Sequence, residues 1–140
     1  MPSTSPYGRA VRILLVDDHR LFVESLMSLL SDDERVEVVG TASNGVEAVE
    51  LATQLEPDVI LMDLMMPVMD GLEATRRIRD RGLSSQILIL TGTDSPVDSE
   101  DAMKAGASGY LRKEQGVEEL RTVLLEAASL AAILGSSPSS

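Results

Sequence analysis

VILMDLMMPVMDG, residues 59–71, begins as an apolar run of strand length and ends on a carboxylate, Asp63. A turn holding Pro67 and the pair Asp70–Gly71 follows. An unbroken apolar run of this kind suits a strand covered on both faces, as in a parallel sheet flanked by helices. A carboxylate at the edge of such a core is costly without partners, so the rest of the chain has to supply them.

The pattern repeats on either side. VRILLV (11–16) is a strand, and the next segment carries Phe22, Leu26, Leu29 and Leu30 at helical spacing. VEVVG (36–40) reads as a short strand ending at Gly40. The helix after it, with Val46, Val49 and Leu51, stops before Pro57. After residues 59–63 comes the helix GLEATRRIRDRG (71–82), with Asp70 as N-cap, Glu73 three residues on and Gly82 past its end. QILILT (86–91) is a fourth strand. SPVDSEDAMKAG (95–106) is a helix capped by Ser95 with Pro96 at its first position. SGYLRK (108–113) is a fifth strand, and a last helix runs to Leu134.

Five strands each followed by a helix predict an α/β fold with a parallel sheet. The two usual outcomes are a half-Rossmann unit and the flavodoxin-like strand order 2-1-3-4-5. Residues 1–9, rich in Ser, Pro and Thr, read as a disordered lead-in. Residues 10–134 read as one domain and residues 135–140 as a linker-like tail.

The 140 residues include 23 acidic and 12 basic side chains, for a formal net charge of −11. That balance argues against direct nucleic-acid binding by this domain, because such binding depends on neutralising phosphates. There is no cysteine, so disulfide and thiol chemistry are excluded. No stretch resembles a signal peptide or approaches a membrane span, and the expected location is cytoplasmic.

Open α/β sheets build their sites at the carboxyl ends of the strands. There the first strand ends in Asp17 and Asp18, the third in Asp63, the fourth in Thr91 and the fifth in Lys113. Each has a plainer reading alone: a helix cap, a turn aspartate, a strand-end hydroxyl, a surface lysine. Their joint placement on one edge carries the weight.

Two carboxylates 4 Å apart repel by about 4 kcal/mol at an effective dielectric of 20. Lys113 offsets part of this; the remainder calls for a second cation or a raised pKa. Oxygen ligands in an open pocket suit Mg²⁺. A carboxylate nucleophile, a hydroxyl, a lysine and a metal together suit phosphoryl transfer.

With ILLVDDH, DVILMDLMMPVMDGLEATRRIR, ILILTG and AGASGYLRK in view, residues 11–134 resemble the receiver domain of bacterial two-component response regulators. DDH and AGASGYL-K look most like the subfamily with a C-terminal LuxR-type helix-turn-helix output domain. The resemblance implies the flavodoxin-like (βα)5 three-layer sandwich with order 2-1-3-4-5. It implies that Asp63 accepts a phosphoryl group from a sensor histidine kinase. Mg²⁺ would be held by Asp18 directly, by Asp17 through water, by Asp63 and by the backbone carbonyl of Met65. Lys113 and Thr91 would contact the phosphoryl oxygens. Tyr110 would turn inward, changing the face formed by the fourth helix, fifth strand and fifth helix. The output is either transcription through a DNA-binding domain absent from this chain, which the subfamily resemblance favours, or that of a stand-alone receiver acting through protein contacts. The domain is then not an enzyme beyond its own phosphorylation and dephosphorylation.

Glu114 stands where most receivers have proline, Gly92 where alanine is more usual, and Met65 and Thr93 where side chains flank the phosphoryl group. Two other classes are weaker. A phosphatase of the haloacid dehalogenase type needs a second acid two positions after the nucleophile, where this chain has Met65. A flavodoxin-like phosphate binder wants backbone donors and hydroxyls after the first strand, where this chain has DDHR.

The lone histidine, His19, reads as local polar structure, and the arginines of RRIRDR as a solvated face. On the last helix Val117, Leu120, Leu124, Ala127 and Ala131 trace one apolar stripe. Val123, Leu130, Ile133 and Leu134 lie largely outside it. A second greasy face suggests contact with a second copy or a following domain.

Overall fold

The computed structural model describes residues 10–92 and 99–135, with the side chains of 128 and 130–135 outside that description. The elements run β1 (Val11–Val16), α1 (Arg20–Leu30), β2 (Val36–Ala42), α2 (Gly45–Leu55), β3 (Val59–Asp63), α3 (Gly71–Asp80), β4 (Gln86–Thr91), α4 (Ser99–Ala105), β5 (Gly109–Arg112) and α5 (Val117–Gly135). A single 3₁₀ turn, Lys113–Gln115, separates β5 from α5. The five strands form one parallel sheet in the order β2-β1-β3-β4-β5. This is the flavodoxin-like order, and the half-Rossmann alternative is excluded.

Strand alternation divides the apolar residues between two layers. Leu14, Val16, Ile60, Met62, Ile87 and Ile89 pack against α2, α3 and α4 through small side chains such as Ala48, Ala52, Ala74 and Ala102. Ile13, Leu15, Val59, Leu61, Leu88 and Leu90 meet Leu26 and Leu30 of α1 and Leu120 and Leu124 of α5. Each large aliphatic side chain buried in this way contributes roughly 1.5–3 kcal/mol, and β3 is buried along its whole length. A strand so enclosed cannot shift to suit a neighbour, which fixes where Asp63 emerges.

Helix ends follow local chemistry. Asn44 accepts from the Glu47 N–H at 3.0 Å, and Asp70 accepts from the Glu73 N–H at 2.9 Å, each satisfying a free donor of a first turn. The Glu73 side chain turns outward to Arg76 and Arg77 instead of completing a capping box. Glu56 takes a left-handed conformation (φ 46°) and ends α2 just before Pro57.

Two boundaries differ from expectation. β2 continues through Gly40 to Ala42 because the register against β1 slips by one residue between Ile13 and Leu14. Ile13 pairs with Val38, and Leu14 with Gly40. A Cβ on Gly40 would stand 3.2 Å from Leu55 and 3.4 Å from Leu14, so the bulge sits where a side chain is least welcome. Lys113 lies just beyond β5, in the 3₁₀ turn. The expected Ser95 cap and Pro96 lie outside the described residues, as do residues 1–9 and 136–140.

On α5, Leu120 and Leu124 are fully buried and Val117 and Ala127 pack against the same layer. Val123 is half-buried, while the side chains of Leu130, Ala131, Ile133 and Leu134 lie outside the described set. Among the described residues no helix is long and apolar enough to cross a membrane.

Candidate functional site

Parallel pairing carries the candidate side chains to one edge of the sheet. The Asp17 N–H donates to the Ala42 carbonyl at 3.0 Å, extending the β1–β2 ladder past Val16. The Leu64 N–H does the same toward Leu90 beyond β3 (2.8 Å). The Asp17 and Asp63 side chains are therefore buried, at 3% and 4% exposure, whereas Asp18, one residue farther out, is 34% exposed. Lys113 reaches back across the edge from β5. Its Nζ stands 2.8 Å from Asp17 Oδ2 and 3.6 Å from Asp63 Oδ1. The ammonium also lies 5.0 Å from the centroid of the Phe22 ring on α1, a favourable cation–π arrangement.

His19 joins them. Its Nδ1 is 2.8 Å from Asp17 Oδ1, 3.5 Å from Asp18 Oδ1 and 3.9 Å from Asp63 Oδ2, and 2.7 Å from Lys113 Nζ. The backbone N–H of His19 donates to Asp17 Oδ1 at 2.9 Å, so the chain leaving β1 folds the ring over the carboxylates. His19 thus has the local polar contacts expected of it, to Asp17 and Asp18, together with one to Lys113 that the sequence did not indicate. Its neighbours DD in sequence hinted at the site, but helical periodicity carries no information on a residue that precedes the helix.

Burial and charge set the state of Asp63. Loss of hydration in its buried position pushes its carboxyl up to about 7. The negative charge of Asp17 adds to the effect, and Lys113 and His19 oppose it. Two buried oxygens, Asp17 Oδ2 and Asp63 Oδ2, accept no hydrogen bond. The first is in ionic contact with Lys113 without hydrogen-bond alignment. Buried acceptors left open are uncommon and call for an occupant. Carboxylate oxygens from Asp17, Asp18 and Asp63 and the His19 nitrogen all lie within 4.8 Å of one another. This donor set fits a divalent cation. A cleft of about 410 Å³ between α1 and the end of β2 opens beside Asp17 and Asp18.

Thr91, 1% exposed, ends β4, and its hydroxyl donates to the Gly92 carbonyl at 3.2 Å. A Cβ on Gly92 would meet nothing within 4 Å. Tyr110 is half-buried on β5 and packs against the layer containing Ile87 and Ile89. Met65 is 59% exposed on the loop after Asp63. Thr93 lies outside the described residues.

The loop 64–70 is pinned at both sides: the Gly71 N–H donates to Leu64 O, and the Gly45 N–H to Met69 O, each at 2.9 Å. Within it the Met69 N–H donates to Pro67 O at 2.7 Å, a γ-turn centred on Val68, whose φ is 69°. A β-branched residue there is strained, and Val68 is 82% exposed, so little packing offsets the strain. Releasing it gains roughly 1–3 kcal/mol, less about 0.5–1 kcal/mol for the entropy of a glycine. Val68→Gly should therefore raise stability by about 1 kcal/mol in urea unfolding. A lower midpoint would mean that the valine side chain is held by contacts stronger than its exposure indicates.

One arginine departs from the expected solvated face. Arg79 spans from α3 to the turn before β5, donating to the carbonyls of Gly106 (2.7 Å) and Leu83 (2.9 Å). Arg76 and Arg77 remain exposed beside Glu73.

Residues 13–125 match the family described as the response regulator receiver domain. The nitrate/nitrite response regulator protein NarL of Escherichia coli K12 is 42% identical over 117 residues, which cover 84% of this chain and 54% of that protein. The transcriptional regulatory protein DegU of Brevibacillus brevis is 40% identical over 110 residues, covering 79% and 47%. The chain spans about half the length of the curated relatives it matches. Among solved structures, the signal receiver domain of NarL from Mycobacterium tuberculosis superposes with a TM-score of 0.79 at 36% identity, covering 86% of this chain and 98% of that one. A LuxR-family two-component response regulator from an Aurantimonas species gives 0.77 at 35%, covering 86% of each.

Proposed function

This chain belongs to the response regulator receiver domain family of two-component systems, and from that premise we propose that Asp63 is its phospho-acceptor. One Asp63 oxygen forms the new O–P bond as the P–N bond of a phosphohistidine on a sensor histidine kinase breaks, leaving the electron pair on the donor's imidazole nitrogen. The observation that carries the reading is Asp63 Oδ2, buried yet without a hydrogen-bond partner, on a carboxylate whose other oxygen stands 3.6 Å from the Lys113 ammonium.

In this reading Lys113 pairs with a phosphoryl oxygen once Asp63 is phosphorylated, and Thr91 hydrogen-bonds another. Asp17, Asp18, Asp63 and the Met65 carbonyl would hold Mg²⁺. Bound there, Mg²⁺ supplies positive charge against the carboxylates and the incoming phosphoryl oxygens. With an Asp63 carboxyl near 7 in the metal-free site, part of the nucleophile is protonated at neutral pH, so attack requires its ionised form. The domain acts on no other substrate; it gains and loses its own phosphoryl group.

The readout in this proposal is the α4–β5–α5 face. Thr91 and Tyr110 rearrange together as the new charge biases a two-state element. The output is transcription, through a DNA-binding domain that follows the 10–134 unit in the cytoplasmic protein. The phosphorylated form pairs with a second copy through α5 or the α4–β5–α5 face.

Incubation with Mg²⁺ and acetyl phosphate, read by intact mass, should add one phosphoryl group. The adduct should need Mg²⁺, be labile to base and be absent in Asp63→Asn. An adduct that persists in the variant, or none from either acetyl phosphate or a histidine-phosphorylated kinase domain, would overturn the assignment.

A further inference from the structure

His19 is the only histidine in the chain, and its ring nitrogen sits in a position that protein groups alone cannot satisfy. Nδ1 lies 2.8 Å from Asp17 Oδ1 and 2.7 Å from Lys113 Nζ. As an N–H it would face the ammonium, which only donates; as a lone pair it would face an ionised carboxylate, which only accepts. Either tautomer leaves one close contact repulsive. A cation accepting lone pairs from nitrogen and oxygen together removes the conflict.

The spacing fits such an ion. A six-coordinate centre with bonds of about 2.1 Å places adjacent ligands about 3 Å apart and opposite ones about 4.2 Å apart. From Nδ1 the carboxylate oxygens stand at 2.8, 3.5 and 3.9 Å. The contact with the Lys113 ammonium directs one cation at this nitrogen already. An ion taking the nitrogen leaves the ammonium its approach to Asp63 Oδ1 at 3.6 Å. A further, independent observation points the same way: Asp63, 3% exposed, aims an unpartnered Oδ2 into the cluster. The His19 side chain is 64% exposed, so the ring can adjust to a ligand without disturbing the core.

We propose that His19 supplies a nitrogen ligand through Nδ1, so that the site takes first-row transition ions as a three-carboxylate, one-imidazole centre. This rests on the reading of the acidic edge as a divalent-cation site and extends its ligand set. Mg²⁺ prefers oxygen and gains little from an imidazole, whereas Mn²⁺, Co²⁺ and Ni²⁺ gain increasingly from it. The histidine thus governs which ion the receiver carries.

The test is titration of the whole 140-residue chain, free of phosphodonor, with Mg²⁺ alone and with Co²⁺ alone by calorimetry, for wild type and His19→Ala. The variant should lose at least about tenfold in Co²⁺ affinity, since even outer partners of metal ligands are worth that much. Its Mg²⁺ affinity should change by less than about twofold. Mn²⁺ bound to wild type should show ¹⁴N coupling in pulsed paramagnetic resonance, lost in His19→Ala; this readout reports the ligand directly. Equal effects on both ions, or none on Co²⁺ with Mg²⁺ still binding, would overturn the histidine assignment and leave the cation site standing. Failure of both ions to bind wild type would overturn the cation site and the histidine with it.

Discussion

Asp63→Asn should make the metal-free protein more stable at pH 8 while leaving its stability near pH 4 almost unchanged. In the unfolded chain this carboxyl ionises near 3.9; in the fold, burial and the Asp17 charge raise it to about 7. Between those values the native state holds a proton that the unfolded state has released. Wild-type stability from this group therefore falls as pH rises from about 4 to about 7 and levels off above. Below about 4 both states are protonated and the group contributes no penalty.

A carboxyl raised this far sets a ceiling of roughly 4 kcal/mol on the effect. Water at the open mouth of the site screens the charge, and about 2 kcal/mol is the expected gain at pH 8. Urea unfolding of both proteins between pH 4 and 8 reads the difference directly. Added Mg²⁺ should narrow it by stabilising the wild type. A difference independent of pH, or a less stable variant at pH 8, would show that the acidic edge does not repel as its geometry implies.

Gly71→Ala should cost about 3–4 kcal/mol, although nothing in the backbone angle of Gly71 demands glycine. A Cβ there would collide with the Asp63 carbonyl oxygen, with Met62 Cγ at 2.9 Å and with the Asp63 carbonyl carbon at 3.0 Å. β3 is enclosed by β1 and β4 and cannot retreat, so the start of α3 would have to lift. Lifting it breaks the Gly71 N–H bond to Leu64 O and opens packing around Ala74 and Ile78. Gly82 provides the contrast: its φ is +78° but a Cβ would meet nothing within 4 Å. Gly82→Ala should cost only about 1–2 kcal/mol of backbone strain. Equilibrium unfolding that ranks Gly82→Ala as the worse of the two would refute the claim that space, not conformation, fixes Gly71.

Residues that follow a periodic rule were legible in the sequence. Apolar runs of strand length gave the sheet, and the carboxyl-end rule for parallel strands brought Asp17, Asp18, Asp63, Thr91 and Lys113 to one edge. His19 and Arg79 were not legible in this way. The direction of His19 is set by the turn leaving β1, where its N–H bonds Asp17. Arg79 finds its partners, Gly106 and Leu83, in loops that a helical wheel does not contain. The β2 bulge was equally hidden, since it arises from how Gly40 meets Leu14 and Leu55 across the sheet.

The sequence by itself determined the βα repeat, the family and the acidic edge, because each depends on spacing along one chain or on the end of a strand. Only the tertiary structure decided that a histidine shares that edge, that Asp63 keeps an open oxygen, and that Gly71 has no room for a methyl group. Those are distances between segments that the chain alone does not bring together, and packing fixes them.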